Sequence, residues 1–194
     1  MGIAAFFVYT GLEAVAGVWA YSFLTSVRGL SMAHAGAAVT LYWTSLTAGR
    51  MIFGAIVRRG SLASMLRGSL ALVVCAAGLV CLFSSPLVSV FGFGLLGLAA
   101  GPVFPSLMAG TPARLGEPHV RNGVGFQVAA AALGQSLLPA LVGVLARGRG
   151  LDVVGPALAV AALSLVALNE ALEAATRFAT AGRRPSSSRC ILPT

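Results

Sequence analysis

The residues of this chain that can do chemistry are few, and they stand inside apolar sequence. Glu13 is the only acidic side chain well inside a stretch long enough to be a spanning helix. A charge at such depth costs several kcal/mol, so it is a functional candidate by default. At 1.5 Å per residue it lies about 16 Å from the start of that stretch, near the middle of a bilayer. Tyr9, Glu13, Gly17 and Ala20 recur at helical spacing on one small, polar face. A carboxylate there can bind a polar solute or carry a proton; it can equally be a structural group bonded to a neighbouring helix. In the second apolar stretch Trp43, Thr47, Arg50 and Gly54 share a face at i, i+4, i+7 and i+11. Arg50 can pair with Glu13, bind an anionic group, or cap carbonyls at a packed helix end. In the fifth, Gln127, Ala131 and Gln135 line one face, and their amides can bond the hydroxyls of a sugar-like ligand or hold helices together.

Other patterns lead nowhere catalytic. Gly92-Phe93-Gly94-Leu95-Leu96-Gly97 fits GxGxxG, but a dinucleotide site needs a strand before it and a helix opening at it. Here the motif is interior to an apolar helix, and Gly97-xxx-Gly101 is read as a small-residue stripe for close helix packing. His34 and His119 fall in loops on opposite sides of the expected membrane and cannot share a metal. Gly134-Gln135-Ser136 is followed by Leu137, so a GxSG nucleophile is missing, as is HExxH. No metal, cofactor or enzymatic activity is expected. Cys75, Cys81 and Cys190 form no CxxC pair or disulfide framework.

The elements that must position these side chains follow from composition. Of 194 residues, 58% are hydrophobic and 9% charged, with a mean hydropathy of +0.92. An ordinary soluble domain is about 25% charged, so lipid is the expected solvent. The net charge of +8 comes entirely from arginines scattered between apolar blocks, with no basic face beside stacking aromatics, and nucleic acid is not an expected partner. A span needs about 20 mostly apolar residues. That ruler predicts an all-α domain over 1–176 with six transmembrane helices at about 2–25, 36–57, 63–83, 86–110, 122–146 and 153–173. Open sheet is excluded because its edges would leave backbone groups unpaired in lipid. Pro102 and Pro105 should break the fourth helix and Pro139 the fifth. Residues 177–194 read as a polar, disordered cytoplasmic tail, and Glu173 with Arg177 as an i,i+4 surface pair. Arginine placement sets the orientation. Nine arginines, Arg58 among them, lie in the loops after the second and fourth helices and in the tail, against three in the opposite loops. The positive-inside bias then puts both termini in the cytoplasm of a multi-pass membrane protein.

Several of these residues together resemble the major facilitator superfamily of transporters. Tyr9-Thr10-Gly11-Leu12-Glu13 with Trp19, and Tyr42-Trp43 with Gly49-Arg50 ahead of Gly54, resemble its seventh and eighth helices. Gly101-Pro102-Val103-Phe104-Pro105 resembles the tenth helix of the fucose-permease-like sugar porters, and Gly125-Phe126-Gln127 with Gly134 and Pro139 the eleventh. The run from Gly54 to Gly60 looks like a worn copy of the superfamily's cytoplasmic loop motif, with Val57 in place of the usual Asp. The resemblance implies the C-terminal half of a twelve-helix fold, built from two inverted three-helix repeats. It implies proton-coupled, alternating-access transport of a small polar solute such as a sugar. Tyr9, Glu13, Gln127 and Gln135 would then bind solute or proton, and Trp43, Arg50, Gly54 and Arg58 would serve the cytoplasmic gate. Six helices are half the implied set, so the chain is read as a fragment of a longer protein, as a half that pairs with a second six-helix chain or a second copy, or as a remnant. Its other expected partners are the lipid bilayer and the solute. The competing expectation is a membrane scaffold or a remnant without transport, in which the polar residues serve assembly.

Overall fold

The computed structural model describes the backbone of residues 2–57, 61–112 and 117–181, and the side chains within them except at positions 56, 117–119 and 177–181. Every element assigned among these residues is helical. Helix α1 (Gly2–Ser26) ends where Gly29 turns the chain with φ +68°, a conformation that costs glycine nothing. Helix α2 (Met32–Ile56) begins before the expected position 36. Ser31 is extended there, and its hydroxyl accepts the His34 amide at 3.4 Å, capping an otherwise orphaned donor. Helix α3 spans Leu62–Leu82 and α4 Pro86–Ala100, with Pro86 in the first turn, where its missing N–H is harmless.

The expected fourth helix is two pieces. Pro102 has no amide to offer the Leu98 carbonyl, and the helical run stops at Ala100 and resumes as α5 (Val103–Ala109). Pro105 makes no second break, which corrects that expectation: it lies in the first turn of α5, where a missing amide is tolerated. Pro139 is different. Helix α6 (Glu117–Arg149) runs through it without a break, which corrects the expected interruption. Its remaining turns hold the helix, and its carbonyl accepts the Trp19 indole N–H at 3.0 Å. Gly150, at φ +79°, ends α6 and leads through the 3-10 turn Leu151–Val153 into α7 (Val154–Ala181). The tail expected from 177 therefore begins inside α7; its remainder, 182–194, lies outside the described residues, as does Arg58.

Five helical stretches are long and apolar enough to cross a membrane: α1, α3, the α4–α5 pair, α6 from Val120, and Leu151–Thr176. The sixth expected span, α2, has 25 residues but is diluted by His34, three threonines and Arg50. Helix α1 is the hub, packing on α2, α4, α5, α6 and α7, while α3 packs on α4, α5 and α7. The core is apolar and aromatic, with Phe6, Leu12, Phe23, Leu46, Phe93 and Leu158 fully buried. Large apolar side chains, among them Leu87, Phe91, Val144 and Val160, also coat the exterior.

Glycines set the closest approaches. A Cβ at Gly97 would collide with the Tyr42 carbonyl oxygen, one at Gly49 with that of Leu98, and one at Gly101 would lie 2.5 Å from that of Leu46. The Gly97–Gly101 stripe is thus the surface on which α4 meets α2. On the other side of the hub, Gly134 of α6 lies against the Phe7 carbonyl, and Gly11 of α1 receives the Leu138 side chain.

Candidate functional site

These approaches bring Glu13 and Arg50 together. Arg50 Nη2 lies 3.1 Å from Glu13 Oε1 and 3.2 Å from Oε2, joining α2 to α1. The Glu13 side chain is 14% exposed and that of Arg50 46%, so the carboxylate is sheltered while the guanidinium reaches open space. Both tyrosines of the neighbourhood are fully buried and address the same residue. Tyr9 Oη is 2.5 Å from Glu13 Oε2 and 2.9 Å from the Ala100 carbonyl oxygen, at the end of α4. Tyr42 donates to the Glu13 backbone carbonyl at 2.9 Å.

The pair borders an open-sided cavity of about 750 Å³, within the about 300–1,000 Å³ typical of small-molecule sites. Helix α1 contributes Thr10 and Glu13, α2 contributes Arg50, Phe53 and Gly54, α5 contributes Phe104 and Pro105, and α6 contributes Val128, Ala131, Ala132 and Gln135. The Phe104 ring is fixed edge-on against Phe6, with centroids 5.3 Å apart. The Thr10 hydroxyl lies 2.7 Å from the Ala131 carbonyl, tying α1 to α6 beside the cavity. Gly54 leaves room: a Cβ there would meet nothing within 4 Å.

The residues singled out from sequence thus divide. Glu13, Arg50, Gly54, Pro105 and Gln135 line the cavity, and Tyr9 stands behind Glu13. Gln127 does not line it; it is 6% exposed and accepts the Thr111 hydroxyl at 3.1 Å, fastening α6 to the segment after α5. Trp43 lies outside the cavity, packed on Gly17 with its ring 5.1 Å from that of Tyr42. Pro102 forms the break above α5. Phe53 is not among the residues that the sequence singles out, and Thr10, Phe104 and Tyr42 enter there only within the family resemblance. Thr10 and Phe53 stand three positions from Glu13 and Arg50, a spacing that shares a helix face.

Two further ionic groups are structural. Arg67 bonds Glu170 through Nε and Nη2, both at 2.9 Å, and Glu173 at 2.6 Å, joining α3 to α7. The expected Glu173–Arg177 pair involves a side chain outside the described residues. Arg28 donates to Ser89 Oγ at 2.9 Å and to the Val80 carbonyl at 3.0 Å, with its guanidinium 4.7 Å from the Phe23 ring centre. It anchors the α1–α2 turn to α3 and α4. No group of three or more metal-ligating side chains occurs among the described residues.

No protein-family model matches the chain. It is similar to Bypass of stop codon protein 6 of Saccharomyces cerevisiae, with 30% identity over 168 residues, which covers 76% of this chain and 32% of the yeast protein. The chain spans about a third of the length of that curated relative.

Proposed function

We propose that this chain is the C-terminal six-helix half of a secondary transporter of the major facilitator type, with α2 as its sixth span and both termini cytoplasmic. It moves a small polar solute, a sugar in the reading that the resemblance favours, by alternating access. The observation that carries this reading is the Glu13–Arg50 pair on the wall of a cavity about 750 Å³ in volume, between apolar helices. Ionisable groups in such a place mark solute and proton paths. The broken α4–α5 helix beside the cavity supports it, since discontinuous helices at depth recur at transport sites. Glu13 carries the coupling proton, Gln135 and Thr10 contact solute, and Arg50 with Gly54 governs the cytoplasmic side. Gln127 supports the site through Thr111 and does not touch solute.

The test is uptake into proteoliposomes under an imposed pH gradient, with a panel of neutral sugars and other polar solutes and a dye for internal pH. Solute-dependent proton movement should fall at least tenfold in Glu13→Gln. Proton-coupled uptake that survives in Glu13→Gln would remove the coupling role. A wild-type chain that moves no solute, and in which Glu13 and Arg50 substitutions affect only assembly, would replace transport by the scaffold reading.

A further inference from the structure

The geometry around Glu13 points to a narrower substrate class: a hydroxylated organic monocarboxylate, taken up as an anion together with one proton. This rests on the transporter reading above. Tyr9 has a single hydroxyl hydrogen but two acceptors, Glu13 Oε2 at 2.5 Å and the Ala100 carbonyl at 2.9 Å. With Glu13 ionised, the hydrogen goes to the carboxylate and the Ala100 carbonyl is left without it. With Glu13 protonated, the new Glu13 O–H donates to Tyr9 Oη, and Tyr9 donates to Ala100. Both oxygens are then served, so the added proton has a place in this chain of bonds.

Arg50 supplies the other half. It engages Glu13 through Nη2 alone and is about half exposed on the cavity wall. A guanidinium presents a planar fork that matches a carboxylate with two parallel bonds. When Glu13 takes a proton it ceases to be a counter-ion, and Arg50 exchanges that partner for the carboxylate of the solute. Charge enforces the coupling. The empty Glu13–Arg50 site is neutral; an anion alone would leave it net negative in a weakly polar cavity, whereas an anion with a proton keeps it neutral. The proton comes from water on the side from which the solute enters, and no bond other than O–H is made. The other titratable group facing Glu13 is Tyr42, which donates to its backbone carbonyl, and the α5 and α6 residues of the wall are uncharged. Thr10 and Gln135 are the polar groups left for hydroxyls, and Phe53 and Phe104 form flat apolar walls.

Calorimetry on the purified full chain in weakly buffered detergent, with a pH-indicator dye, tests this with gluconate and with glucose as its uncharged comparator. Gluconate should bind with uptake of close to one proton per site, and its affinity should fall about tenfold per pH unit once Glu13 is ionised before binding. Glu13→Gln should bind gluconate with no proton uptake and a flat pH dependence. Arg50→Gln should weaken gluconate at least tenfold; Arg50→Lys, which keeps the charge without the fork, should be weakened too and guards against a folding defect. Gluconate binding to the wild type without proton uptake overturns the proposal. Glucose binding in the absence of gluconate binding overturns the anion class while leaving solute transport standing. If neither binds, the anion class falls, and the transporter reading is decided by the solute panel in proteoliposomes.

Discussion

Removing one member of the Glu13–Arg50 pair and removing both are different perturbations. A lone Arg50→Gln leaves the sheltered Glu13 carboxylate without its counter-ion, whereas Glu13→Gln with Arg50→Gln leaves two neutral amides. The double variant should therefore unfold at a higher temperature than Arg50→Gln alone. The half-exposure of Arg50 limits the coupling to about 1–2 kcal/mol in a double-mutant cycle. Tyr42→Phe deletes the hydroxyl that reaches the Glu13 carbonyl and should cost about 1 kcal/mol in the same thermal assay, with the cavity wall intact. Glu13 and Arg50 were legible in the sequence because a charge inside an apolar block has no ordinary explanation. Gln127 and Gln135 were not separable, since eight residues apart they share a helix face. Only the tertiary arrangement sets Gln127 against Thr111 and Gln135 against open space. Tyr42 was read only as part of the family resemblance, because one aromatic among many apolar neighbours carries no mark of its hydroxyl's partner.

At the scale of elements, the α2–α4 seam is held by backbone touching backbone. Gly97→Ala would drive a methyl group into the Tyr42 carbonyl and should cost about 1–3 kcal/mol as overpacking. Gly68→Ala, where a Cβ meets nothing within 4 Å, should be neutral or slightly stabilising because alanine is the better helix former. Comparing the melting temperatures of the two variants in detergent checks both. The existence and order of the helices were readable from apolar run lengths, and the break at Gly101-Pro102 from the missing amide. Their ends were less so. The true start of α2 depends on one Ser31 hydroxyl, and the unbroken passage of α6 through Pro139 on how the helix accommodates one missing amide. Apolar counting sees neither, because both turn on the partner of a single backbone group.

For the molecule as a whole, α1 is the axis on which the other helices are assembled, and it also carries the carboxylate of the candidate site. In the transporter reading a second six-helix unit faces the cavity side. Native mass spectrometry of the chain extracted in mild detergent should then find it with such a partner or as a homodimer; a lone 19.6 kDa species would count against a working half. The same hub has an optical consequence. The two tryptophans of the chain lie against glycines across two different seams of α1: Trp43 of α2 on Gly17, and Trp19 on Gly143 of α6. Indole emission responds to local polarity, so the unlabelled protein carries its own fluorescent gauge of whether α1 tilts toward α2 or toward α6, and Trp19→Phe or Trp43→Phe would silence one seam to let the other be read.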